Sequence, residues 1–137
     1  MGDVNLNPYL NFSGDTRDAM EFYRQVFGGE LEVMTFSDLP GTPAPPGYED
    51  KVMHAALRAD DVTLMASEGQ PGSQVTVGDN VQLSLSGTDE KKLSTYFSDL
   101  SDGGRIRVPL GPQPWGDTFG MVTDRFGVHW MVNITKT

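Results

Sequence analysis

The sequence predicts an α+β fold built from two successive βαβββ modules. Three observations carry this. Strand-like and helix-like hydrophobic periods follow one another in the order β-α-β-β-β, and the same order restarts after a polar stretch. Each predicted helix ends on a glycine pair, Gly28-Gly29 and Gly103-Gly104. A chain of 137 residues with 37% hydrophobic content can form one compact domain, or two half-domains sharing a core. The expectation is a single domain over residues 1–137, made of a module at 5–67 and a module at 81–135 with a linker at 68–80.

Asn5 to Phe12, NLNPYLNF, alternates with period two and reads as a strand, with Pro8 placing it at a sheet edge. SGDTRDAMEFYRQVFGG reads as a helix. Asp15 or Thr16 can cap it, Ala19, Met20, Phe22, Tyr23, Val26 and Phe27 form its apolar stripe, and Gly28-Gly29 ends it. Glu30 to Ser37 is a second strand. Asp38 to Asp50 holds four of the nine prolines and is a loop, long enough to cover a binding site or simply to cross the surface. Lys51 to Arg58 and Val62 to Ser67 are the third and fourth strands, with a turn at Ala59-Asp60-Asp61. After the linker, Val81 to Ser86 is a strand. The next helix is capped by Thr88 or Asp89, faces inward with Leu93, Tyr96, Phe97 and Leu100, and ends at Gly103-Gly104. RIRVPLG, Thr118 to Thr123 and Val128 to Ile134 complete the second module.

Composition excludes several functions. There is no cysteine, so disulfides, thiolate catalysis and Cys-ligated zinc or iron–sulfur sites are out, in keeping with a cytoplasmic protein. A net charge of −9 with scattered basic residues argues against nucleic acid as a partner. No run approaches the roughly 20 apolar residues of a spanning helix, and no secretory signal pattern opens the chain, so no membrane partner is expected.

The strings NPYLNFSGDTRDAMEFYRQVFGGEL, KVMHAALRADDVTLMASE, NVQLSLSG and WGDTFGMVTDRFGVHWMVN cover nearly the whole chain. Together they resemble the PhnB-like branch of the vicinal oxygen chelate superfamily, which includes glyoxalase I, extradiol dioxygenases, fosfomycin-resistance enzymes and bleomycin-binding proteins. The resemblance implies a glyoxalase-like fold: curled mixed sheets around a cup, the usual site inside it, and metal ligands on the first and last strands of each module. It also implies a homodimer, in keeping with sheet edges that want partners. Members of this branch have carried the label 3-demethylubiquinone 3-methyltransferase. This chain has no Gly-rich strand–helix turn followed by an acidic residue, so methyl transfer is not expected of it.

Period two sorts each terminal strand into a helix-facing side and a cup-facing side. The cup side receives Asn7, Tyr9 and Asn11; Thr63, Met65 and Ser67; Gln82, Ser84 and Ser86; and His129, Met131 and Asn133. Val128, Trp130, Val132 and Ile134 face a helix. The ligand positions implied by the resemblance fall at Tyr9, Met65, Gln82 and Met131, of which only Gln82 is a usual ligand type. No metal cofactor is therefore expected. A divalent ion held by His54, His129 and Glu68 would need three separate segments to converge. His129 and His54 are the candidate acid–base groups, each with an alternative as a structural strand histidine. Tyr9, Asn11, Met65, Ser67, Gln82, Ser84, Met131 and Asn133 are the candidate ligand contacts. Trp115 joins them as an aromatic ring able to close over a ligand, and Asp117 braces the turn beside it. Met34, Met53, Met65, Met121 and Met131 suit an irregular pocket, or ordinary core filling.

These residues favour a metal-independent protein that binds a small organic molecule in the cup between modules. The alternative is an enzyme of the same fold, a lyase, isomerase or dioxygenase, with an atypical metal or His129/His54 acid–base chemistry. A non-catalytic dimerisation or regulatory module is the third reading.

Overall fold

The computed structural model describes residues 4–41, 43–68 and 74–136. Part of the expected linker, residues 69–73, lies outside them. The chain divides into two compact units, Met1–Thr76 and Val77–Thr137. Unit 1 holds β1 (Tyr9–Asn11), α1 (Thr16–Phe27), β2 (Glu30–Thr35), β3 (Val52–Arg58) and β4 (Thr63–Ser67). Unit 2 holds β5 (Leu83–Gly87), α2 (Glu90–Ser101), β6 (Arg105–Pro112), β7 (Thr118–Thr123) and β8 (His129–Ile134). The two units repeat one topology. Their sheets run β1-β4-β3-β2 and β5-β8-β7-β6, with the first and last strand of each module paired in parallel and the other pairs antiparallel. Each is the mixed, open, four-stranded sheet of an α+β module.

Each helix lies on one face of its own sheet because one side of every element is apolar. In unit 1, Ala19, Met20, Tyr23 and Phe27 of α1 are buried together with Ala55, Leu57, Leu64 and Ala66 of the sheet. In unit 2, Leu93, Phe97 and Leu100 of α2 are buried with Val122, Trp130, Val132 and Ile134. The β8 pattern is strictly alternating, so Trp130, Val132 and Ile134 go in while His129, Met131 and Asn133 stay half-exposed on the other face.

The glycine pairs do two different jobs. Gly28 and Gly103 take positive φ, 74° and 77°, as does Gly29 at 89°, a backbone region open to glycine that turns the chain out of the helix. Their partners Gly29 and Gly104 meet strand backbone. A Cβ on Gly29 would lie 2.3 Å from the Arg58 carbonyl oxygen, and one on Gly104 would lie 2.4 Å from that of Thr123. The second glycine thus lets the chain leaving each helix pass against the end of β3 or β7.

Several details depart from the sequence reading. The fifth strand begins at Leu83 rather than Val81, which leaves Gln82 just before it. The first strand is Tyr9–Asn11 rather than Asn5 to Phe12. Pro8 has no N–H to give, and its carbonyl accepts from Met65 N–H at 3.1 Å just outside the strand. The second strand ends at Thr35 rather than Ser37, and Phe36–Asp38 winds into a short 3₁₀ turn closed by Thr35 N–H to Asp38 Oδ2 at 2.8 Å. Most consequential, Asp15 is the N-cap residue of α1 but its side chain makes no capping bond. Glu68, placed in the linker on sequence, supplies it: its two carboxylate oxygens accept from Gly14 N–H and from Thr16 N–H, the latter at 3.2 Å. In unit 2, Asp89 caps α2 locally by accepting from Lys92 N–H at 3.1 Å.

Candidate functional site

In each unit the sheet face turned away from the helix carries the chemistry. In unit 1 the parallel pairing puts Tyr9 beside Met65 and Asn11 beside Ser67, and the antiparallel pairing continues from Met65 to Ala56. His54, two residues along β3 on the same side, reaches Tyr9. The Tyr9 hydroxyl and His54 Nδ1 are 3.0 Å apart and the rings lie 5.7 Å apart, tilted by 34°. Ser67 Oγ donates to Asn11 Oδ1 at 3.1 Å. The face therefore brings Tyr9, Asn11, His54, Met65 and Ser67 together, as the strand period required. Its surface is polar and soft, with Tyr9 48% and Met34 40% exposed.

In unit 2 the corresponding face holds Ser84, Met131 and Met121 in one row, because Ser84 pairs with Met131 and Met131 with Met121. The two histidines prove to be different. His129 Nδ1 is 2.8 Å from Thr123 Oγ1, and its Nε2 is 3.2 Å from the Gly78 carbonyl oxygen. A carbonyl can only accept, so Nε2 carries the proton and donates. Both ring nitrogens are thus engaged by the protein. His54 has its Nε2 without a hydrogen-bond partner among the described residues. Of the two candidate acid–base groups, His54 is the one with a nitrogen to offer. Asn133 Nδ2 donates to Asp117 Oδ2 at 3.0 Å, so Asp117 braces β8 across the turn. Trp115 is 62% exposed and meets Phe119 edge to face, with ring centroids 5.9 Å apart.

Two residues that matter here were not singled out from the sequence. Asp124 is 3% exposed and organises the turn into β8. Its Oδ1 accepts from Phe126 N–H and Val128 N–H, at 2.8 and 3.1 Å, and its Oδ2 accepts from Trp130 Nε1–H at 2.9 Å. The signal was there, since an Asp two residues before an aromatic and three before a glycine suits an Asx turn. The other is Arg107. It sits at a register irregularity of β6, between Ile106, which pairs with Val122, and Val108, which pairs with Met121. Its Nη2 donates to Gln82 Oε1 at 2.7 Å. A bulge cannot be read from hydrophobic period, so nothing in the strand RIRVPLG marked Arg107 out.

A polar cleft of about 400 Å³ lies elsewhere in unit 1, lined by Gly14, Arg17, Glu49, Asp50, Lys51 and Glu68 among others. The end of the Pro-rich loop borders this cleft, which includes none of the open-face residues. Among the described residues, no group of three His, Asp or Glu side chains could hold a metal ion. No helix among them is long and apolar enough to cross a membrane.

Comparison with known proteins adds the following. A family model described as 3-demethylubiquinone-9 3-methyltransferase matches residues 4–133. The crystal structure of protein PA1353 from Pseudomonas aeruginosa is similar to this chain with TM-score 0.86 and 39% identity, covering 98% of this chain and 100% of that one. A PhnB protein from Bacillus cereus, which bears the same methyltransferase name, has TM-score 0.75 and 26% identity, covering 96% of this chain and 100% of that one. A glyoxalase/bleomycin resistance protein from Albidiferax ferrireducens shares the fold, with TM-score 0.61 and 14% identity over 95% of this chain and 98% of that one.

Proposed function

The chain belongs to the PhnB-like branch of the vicinal oxygen chelate superfamily, and on that premise we propose that it binds a small organic molecule against an open sheet face without a resident metal ion. The observation that carries this reading is the chemistry at the four positions where the resemblance puts metal ligands. Met65 and Met131 offer thioethers, which suit soft ions rather than the hard or borderline divalent ions usual at oxygen and nitrogen sites. Tyr9 is tied to His54, and the carbonyl oxygen of Gln82 is spent on Arg107. These residues do not fit a divalent ion, and no step is derived through one. They do fit an organic molecule. Hydroxyls and amides offer hydrogen bonds, and methionines give adaptable apolar contact.

Methyl transfer, named by the matching family model, finds no support in the residues. The first turn of α1 is occupied by the Glu68 carboxylate and that of α2 by Asp89. Neither helix start is left open as the cradle that nucleotide-type cofactors use.

Two measurements test the proposal. Metal analysis of protein purified without chelator is expected to show no stoichiometric zinc, nickel, manganese or iron; finding one refutes the metal-free reading. A thermal-shift screen of small organic molecules is expected to give hits weakened by Gln82→Ala or by Tyr9→Phe. Hits that neither substitution weakens would put the site elsewhere.

The Tyr9–His54 pair favours one further reading, acid–base catalysis in unit 1. A phenol held on Nδ1 orients the imidazole so that Nε2 faces outward as the reacting nitrogen. Turnover of any hit that is lost in His54→Gln and retained in His129→Gln would establish it. We also propose a homodimer. Support comes from the open edges of both sheets and from exposed apolar side chains near them, with Leu6 98% and Ile106 49% exposed.

A further inference from the structure

We infer that Arg107 and Gln82 form an oxyanion-binding site on the open face of unit 2, selecting ligands with an acidic head and an apolar body. The inference rests on the proposal that this face takes a small organic molecule, and it names the class.

Arg107 and Gln82 approach from opposite edges of the sheet. Arg107 leaves β6, Gln82 immediately precedes β5, and β7 and β8 lie between. Their bond, Arg107 Nη2 to Gln82 Oε1 at 2.7 Å, therefore crosses the open face. The bulge makes this possible by adding a residue to β6 opposite Met121, which aims Arg107 over the face rather than along the edge.

The guanidinium is left underused. It always carries its charge and has five N–H donors. Nη2 makes the bond to Gln82 and a long one, 3.5 Å, to the Val122 carbonyl. Nε is buried with no hydrogen-bond partner, and Nη1 has none among the described residues. No carboxylate among the described residues pairs with this cation, although acidic residues outnumber basic ones 19 to 10 in the chain. A buried donor without an acceptor calls for an explanation.

Gln82 sharpens the selectivity. Its acceptor oxygen faces the guanidinium, which leaves its NH₂ group as a further donor. Ser84, the next residue on the same side of β5, adds a hydroxyl, and it pairs with Met131. The unspent groups are thus mostly donors around a fixed positive charge, the complement of a carboxylate or phosphonate rather than of a cation or a neutral amide. Met121 and Met131, in the row beneath, offer the adaptable apolar surface for the rest of the ligand.

Phenylacetate, phenylphosphonate and the neutral phenylacetamide test this by calorimetry, with the Met121 and Met131 methyl resonances locating the binding. At least one acid is expected to bind saturably and shift both methyls, ten-fold or more tightly than the amide; the tighter acid identifies the head group. Arg107→Met is expected to lose at least ten-fold for that acid and to shrink its margin over the amide. Arg107→Lys should fall between, keeping charge without the fork. Gln82→Glu supplies the guanidinium with an internal counterion, so it should weaken the acid while Arg107 is still present, which settles the matter if Arg107→Met does not fold. Acid binding that survives both Arg107→Met and Gln82→Glu overturns the inference, as does equal binding of acid and amide, or binding of neither acid. In those cases neutral hits from the screen would leave the small-molecule reading standing. A screen with no hit of any class would remove both.

Discussion

At the scale of single residues, Glu68 and Asp38 show how carboxylates organise this chain. The Glu68 carboxylate holds the first turn of α1 from a position more than fifty residues away, where it satisfies orphan N–H groups and meets the positive end of the helix dipole. Glu68→Ala should cost about 1 kcal/mol or more of stability in chemical denaturation. Asp15→Ala should cost less, because the Asp15 side chain makes no capping bond. Equal effects would contradict this account. Asp38 takes hydrogen bonds from the Thr35 backbone N–H and then from the Thr35 side chain, which hold its carboxyl below the ordinary value of 3.8. A lowered folded-state value means that the turn at Phe36–Asp38 is supported above the ordinary carboxylate range and is released as pH falls through the lowered value. A carbon NMR titration should find the Asp38 midpoint below 3.8, with the Thr35 amide resonance moving at the same midpoint.

At the scale of elements, the helix ends offer a clean contrast. Gly28→Ala places a methyl in open space and costs only the backbone conformation, φ 74° with ψ −162°, a glycine region that costs an alanine on the order of 1–3 kcal/mol. Gly29→Ala and Gly104→Ala drive a methyl to within 2.3 and 2.4 Å of strand carbonyl oxygens. Each should cost more than Gly28→Ala in denaturant midpoint analysis, since backbone must move to relieve the contact, and at Gly29 a φ of 89° adds to it. The glycine pairs were legible in the sequence as helix stops. Their second purpose was not, because close approach of a distant strand leaves no mark on the residues beside the glycine. The strand faces were legible for the same reason that they are robust: a one-residue slip would send Trp130, Val132 and Ile134 to the wrong side. What the period could not reveal was the bulge at Arg107 or the engagement of both His129 nitrogens, which depend on which strands become neighbours.

At the scale of the whole molecule, the proposed homodimer is expected to run at twice 15.0 kDa in light scattering at micromolar concentration, and Leu6→Asp or Ile106→Asp should shift it toward monomer if those side chains lie at the contact. A monomer mass for the unmodified chain would refute it. By itself, the sequence determined the α+β class, the repeat of one βαβββ plan in both halves, the helix and strand faces, and the family, because these follow from local period and from motifs. Tertiary structure alone decided that Glu68 caps α1, that Asp124 anchors Trp130, that His54 rather than His129 keeps a nitrogen without a partner among the described residues, and that Arg107 reaches across a sheet to Gln82. Each of these is a contact between residues whose separation in sequence says nothing of their separation in space, set only once strands find their order and register.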